Sequence, residues 1–193
     1  MGDFSQLYSF TFRGLLAEES VNSTGLLGAT NAEDEKEVIA KLVGLDSLGA
    51  EYLVASQNMA VIYSAIAAFE NSVRDFISST LLEEKGENWW IESTSEKIQK
   101  AAKSLMDKEE SVRWHATRGK NPIQFTMLPH LLNIIRQNFV VFEPFVSDID
   151  WAASIFEIVE RSRNVIMHSG ELSKRDVARL GTAFRDWNSQ VAT

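Results

Sequence analysis

From Glu51 to Leu82 no proline or glycine interrupts the chain, and apolar side chains return every three or four residues: Met59, Ile62, Ile66, Phe69, Val73, Phe76 and Ile77. That interval matches the 3.6-residue turn of an α-helix, so it predicts one long helix with a continuous apolar stripe. Such a stripe has to be covered by other elements. The three prolines, Pro122, Pro129 and Pro144, all fall in one stretch, which leaves the rest of the chain free to form long helices.

The partners of that stripe can be read in order. Gly86 and the pair Trp89-Trp90 form a loop and an apolar anchor, a tryptophan pair being more often packing than ligand stacking. Ser93 with Glu96 reads as a capping box opening a helix with Ile98, Ala102, Leu105 and Met106. Residues 108–121 read as a polar, mobile loop. Pro129 suits the first turn of a helix running through Leu131, Leu132, Ile135 and Phe139. Asp148 or Asp150 caps a helix with Ile155, Ile158, Val159 and Ile166 on its apolar face, and Gly170 ends it. Ser173 and Asp176 open a last helix carrying Val177, Leu180, Phe184, Trp187 and Val191. Long amphipathic helices with short connections make the expected fold class all-α, a helical bundle of long antiparallel helices. Residues 1–50 differ. Tyr8, Phe10 and Phe12 alternate with polar residues, which suits a strand or extended arm, and residues 33–44 suit a short helix with an acidic start. The expected organisation is therefore a peripheral segment over 1–50 and one helical domain over 51–193.

Composition narrows the chemistry. The chain has no cysteine, which removes disulfides, thiolate metal sites and cysteine nucleophiles and suits a reducing cytoplasm. No uninterrupted apolar run approaches about 20 residues, so no membrane span is expected. The net charge of −8 argues at first against a polyanionic partner. The negative excess lies before residue 111, however, and residues 111–193 carry a slight positive excess. That half is where a nucleic acid would bind, although ordinary surface variation produces the same asymmetry.

Of the three histidines, His115 and His130 have no companion at metal-ligand spacing, and no metal or cofactor site is expected. His168 has more suggestive company. On a helix Asn164 lies one turn before it, Arg161 two turns before it on the same stripe, and the long side chain of Arg163 can swing back toward it. The negative end of the helix dipole favours imidazolium at such a terminus. An arginine fork binds phosphate oxygens and a histidine moves protons near neutrality, so the set suits phosphate chemistry. RNA supplies its own nucleophile, the 2′-hydroxyl. A surface helix end with solvated arginines and an unpaired histidine has the same spacing.

Arg163-Asn164, then three residues, then His168 resembles the signature of the HEPN superfamily, an Arg followed by a polar residue and, a few positions on, a His. The surroundings resemble its Swt-type branch over roughly residues 55–180. They include Tyr63, Phe69-Glu70-Asn71 with Arg74-Asp75-Phe76-Ile77, and Gly86 with Trp89-Trp90. Further on come Ile134-Ile135 with Asn138, Phe142-Glu143-Pro144, and Glu160, Ile166 and Ser169 around the motif.

The resemblance implies a bundle of four or more helices. It also implies a homodimer that joins two motifs in one cleft, and metal-independent cleavage of RNA to a 2′,3′-cyclic phosphate and a 5′-hydroxyl. Toxin–antitoxin and phage-defence systems are the usual settings, with an antitoxin or other partner protein. Arg163 and His168 would be catalytic and Asn164 would orient the phosphate or His168. Arg161 would add phosphate binding, with Ser169 beside the motif in support. Glu70 would hold Arg163, or simply pair with Arg74 one turn away. Two positions depart from the pattern: Met167 stands where a small residue usually precedes the His, and Gly170 stands where a Tyr marks toxins silenced by adenylylation. The alternative is a non-catalytic HEPN dimerisation or binding module.

Overall fold

The computed structural model describes residues 35–191, so the aromatic alternation at Tyr8, Phe10 and Phe12 lies outside the described residues. The chain divides into two compact units, Met1–Val54 and Ala55–Thr193. In the first, α1 is helical over 35–42 and a short 3-10 turn follows at Leu45–Ser47, after Gly44 in the left-handed region (φ 66°).

The described residues are all-α, with eight helices and no strand. After α1 come α2 (Ala50–Lys85), α3 (Trp89–Ser93) and α4 (Glu96–Glu110). A 3-10 turn at Pro122–Phe125 leads to α5 (Leu128–Gln137), α6 (Phe139–Phe142), α7 (Ile149–Met167) and α8 (Lys174–Val191).

The apolar stripe of α2 forms the spine of the second unit. Ile66, Val73, Ile77 and Leu81 are fully buried, and Phe69 nearly so. Burying each such side chain is worth about 1.5–3 kcal/mol. Around them α5, α7 and α8 close the core, with α7 packed along α8 and against α5. Trp187 of α8 is the hub: its ring stacks on Trp151 (6.1 Å) and meets Phe69, Phe76 and Phe156 edge-on at 5.3–6.1 Å. Edge-to-face aromatic packing adds stability beyond the area it buries.

The N-terminal part of α2 is different. Val61 and Tyr63 remain exposed there. By length and composition α2 would also suffice to cross a membrane: its mean hydropathy reaches 1.3 over an 18-residue window. Leu53, Val54, Val61, Ile62 and Ile66 with five alanines produce that value, and Ser56, Gln57, Asn58 and Ser64 interrupt the apolar run. The C-terminal half of the helix lies in the core.

Several boundaries follow the sequence reading. Asp148 caps α7, its Oδ1 accepting from the backbone N–H groups of Asp150 (2.7 Å) and Trp151 (3.4 Å). Ser173 and Asp176 exchange bonds at the start of α8: the Ser173 hydroxyl donates to Asp176 Oδ2 (2.6 Å) and accepts from the Asp176 backbone N–H (3.2 Å). Other boundaries do not follow it. Ser93 does not open α4; it ends α3, with a buried hydroxyl lacking a partner among the described residues, and Ser95 is the N-cap residue. The polar segment does not unwind at residue 108, because α4 continues to Glu110. The helix begun at Leu128 stops before Phe139, because Asn138 breaks it. The Asn138 side-chain amide donates to the carbonyls of Ile134 and Ser93, both at 2.8 Å, tying the end of α5 to the end of α3.

Candidate active site

Arg163 and Asn164 sit in the last turns of α7, whose buried face is set by Ile155, Phe156, Val159 and Ser162. With that face in the core, Arg163 is turned toward α2. There its Nε lies 3.1 Å from Glu70 Oε1. The other carboxylate oxygen, Glu70 Oε2, accepts from Arg74 Nη2 at 3.1 Å. The two roles considered for Glu70 are thus both filled: it pairs within its own helix and also bridges to Arg163.

Arg74 anchors the far side of this carboxylate. Its Nη2 also donates to the Thr126 carbonyl (3.1 Å) and its Nη1 to Asn71 Oδ1 (3.0 Å), while its Nε is buried without a partner among the described residues. Glu70 and Arg74 keep only 13% and 14% of their side-chain surface, against 37% for Arg163. The carboxylate and the inner guanidinium therefore form a fixed base, and the outer guanidinium borders solvent. Because Glu70 approaches Arg163 through Nε, the remaining edge of the guanidinium is suited to a second anion.

These groups line a cleft of about 590 Å³ with Tyr63, Arg118, Gln124, Glu160 and Asn164. Three guanidiniums (Arg74, Arg118 and Arg163) face two carboxylates (Glu70 and Glu160) around it.

His168 stands elsewhere. It is the C-cap of α7 (φ −101°, ψ 24°), its backbone N–H donating to the Asn164 carbonyl at 3.2 Å, and its side chain is exposed. The helix ends in a Schellman turn: the Gly170 N–H bonds the Val165 carbonyl (2.8 Å) and the Ser169 N–H bonds that of Ile166 (3.0 Å). Ser169, not Gly170, takes the left-handed conformation (φ 60°). Gly170 is needed for a different reason. A Cβ there would lie 2.8 Å from Val165 Cγ1 and 3.0 Å from the Val165 carbonyl oxygen.

Ser169 and Gly170 border a second hollow of about 450 Å³, largely apolar, with Met59, Ile166 and Met167. Neither His168 nor Arg161 lines the guanidinium cleft. Arg161 pairs with Glu157 on the exposed face of α7. Of the residues singled out from sequence, Arg163, Asn164 and Glu70 therefore meet in one cleft within a single chain. Arg161, His168 and Ser169 lie outside it. Arg74, Arg118 and Glu160 were not singled out as site residues. The i,i+4 spacing of Glu70 and Arg74 was a local signal for one of them, but no local pattern brings Arg118 to the cleft. Among the described residues no group of three or more His, Asp or Glu is placed to hold a metal ion.

No family model, curated protein or solved structure matches the chain.

Proposed function

We propose that this chain is a metal-independent endoribonuclease of HEPN type, acting on RNA as a homodimer in a toxin or phage-defence setting. The observation that carries the reading is Arg163 held from a neighbouring helix by a largely covered carboxylate, five residues before an exposed histidine on the same helix end. A guanidinium fixed in that way is preorganised to receive a phosphoryl oxygen and to stabilise charge that grows in the transition state.

In the proposed reaction the 2′-hydroxyl attacks the adjacent phosphorus and gives up its proton. The bond from phosphorus to the 5′-oxygen breaks, and that oxygen takes a proton. A 2′,3′-cyclic phosphate and a 5′-hydroxyl result, so atoms balance without water or a redox partner. Arg163 binds the phosphoryl oxygens, Asn164 orients them and His168 moves the proton. Arg163 lines the guanidinium cleft and His168 of the same chain does not, so the reading requires a second copy to complete the site. The apolar hollow at Met59, Ile166 and Met167, bordered by exposed Tyr63, supports a partner surface at the motif.

The test is purified protein with mixed RNA in EDTA. Wild type should cleave, and His168→Ala, at an exposed position, should keep its fold and lose cleavage. Equal cleavage by both would sink the reading. One observation favours a second reading, a non-catalytic HEPN binding module: Arg163 is already paired with Glu70, which lessens its charge toward a phosphate. Expression separates the two, since a ribonuclease slows host growth and a binding module does not.

A further inference from the structure

The loop over residues 111–121 carries Trp114 with 85% of its surface exposed. An indole so far out of the core contributes nothing to folding by burial, yet the loop beneath it is firmly built. Arg118 Nε pairs with Glu109 Oε1 at 2.7 Å and the Arg118 backbone N–H donates to Glu109 Oε2 at 3.0 Å. The same guanidinium lies over the Phe125 ring, 5.8 Å from its centroid. Gly119 closes the loop at φ 152°, where a Cβ would lie 1.9 Å from Gln124 Oε1. These contacts tie the loop to α4 and to the 3-10 turn that supports Arg74.

Trp114 stands at the rim of a hollow of about 610 Å³ bordered by Leu105, Lys108, Val112 and His115. His115 meets it edge-on at 5.6 Å. Residues 111–121 carry Arg113, Arg118 and Lys120 and no carboxylate, while the end of α4 beside them carries Lys108 with Asp107, Glu109 and Glu110, and Glu109 is paired with Arg118. Arg118 also lines the cleft that holds Arg74 and Arg163. Arg118 therefore borders both concavities.

We propose that the Trp114 loop is a single-stranded RNA subsite, in which a base stacks on the indole while the phosphate backbone runs past Arg118 toward Arg163. This rests on the nuclease reading for the direction of the strand. Stacking of a base on an exposed aromatic side chain inside a basic groove is how sequence-tolerant single-strand binding is commonly achieved. A protein partner would also be drawn to an exposed tryptophan, but the cluster of cations around this one favours a polyanion.

The probe is a fluorescein-labelled 2′-O-methyl oligonucleotide of about 10 nucleotides, within the span of ordinary single-strand sites. It lacks the attacking hydroxyl, so binding is read by anisotropy without cleavage. Trp114→Ala should weaken binding about tenfold, as expected for loss of one stacked base, and Trp114→Phe should restore most of it. Replacing bases of the probe by abasic residues should weaken wild type and leave Trp114→Ala unchanged, which a merely structural role would not produce. Equal affinity of wild type and Trp114→Ala, or no binding at all, overturns the proposal. So does an unchanged affinity accompanied by a smaller sedimenting species in Trp114→Ala, which would mark a protein contact. The nuclease reading fails separately: a chain that binds the probe through Trp114 but leaves RNA intact keeps this subsite and loses the catalytic assignment. A chain that cleaves RNA equally well as Trp114→Ala does the reverse.

Discussion

Replacing Glu70 by alanine removes the carboxylate shared by Arg74 and Arg163, and the two arginines should feel the loss unequally. Breaking a fully buried ion pair from one side costs about 3–5 kcal/mol, because a charge is left without its partner. Arg74 is 14% exposed and retains the Thr126 carbonyl and Asn71 Oδ1 after the change. The expected cost is therefore lower, about 2–3 kcal/mol, or about 4–12 °C in Tm for a unit of this size. Arg163 is 37% exposed and meets Glu70 through one nitrogen, so solvent screens the pair. Its coupling to Glu70 should be about 0.5–1 kcal/mol. Two double-mutant cycles in urea at neutral pH, Glu70→Ala with Arg74→Ala and Glu70→Ala with Arg163→Ala, measure both terms. Glu70→Gln keeps an acceptor and should lose about half as much as Glu70→Ala. A stronger coupling to Arg163 than to Arg74, or a loss under about 0.5 kcal/mol for Glu70→Ala, would show that the carboxylate does not organise the cleft.

Three further outcomes follow from the same contacts. Ser169→Gly should raise stability by about 1 kcal/mol, since glycine occupies the left-handed region without the Cβ penalty; Gly170→Ala should lower it by about 1–2 kcal/mol through the clash with Val165, and thermal melts of both variants check the pair. Ser173→Ala should cost about 1 kcal/mol by removing the N-cap of α8. The Ser173 hydroxyl, with Arg179 and Arg175 in support, holds the Asp176 carboxyl below its usual range. A carboxyl depressed on folding stabilises above its unfolded value and loses that contribution as pH falls through its folded value, so NMR titration of Asp176 should move upward in Ser173→Ala. Trp187→Ala should lose about 3–5 kcal/mol in urea unfolding, because four aromatic side chains pack around that indole, and Trp187→Phe should lose less.

Much of the bundle was legible because local rules governed it. The stripe of α2 and the caps at Asp148 and Ser173 depend on residues within a turn or so of each other. The misread boundaries had competitors that a local window does not contain. Ser93 and Glu96 match a capping box in spacing, yet the chain at Ser93 is still closing α3. The break at Asn138 is stabilised by a carbonyl 45 residues away. Ser169 adopts the left-handed turn because Gly170 is required one position later, where the chain crosses Val165.

The sequence by itself determined that the described chain folds as helices, which faces those helices bury, and that Arg163, Asn164 and His168 share one helix end. These follow from spacing along 3.6-residue turns and from caps made by near neighbours. Only the tertiary structure decided that Glu70 spans two arginines, that Arg118 borders both the cleft and the Trp114 hollow, and that His168 does not line Arg163's cleft. Those facts depend on how α2, α4, α7 and the 3-10 turn pack around the shared core, and packing brings together residues whose separation along the chain carries no signal of their meeting.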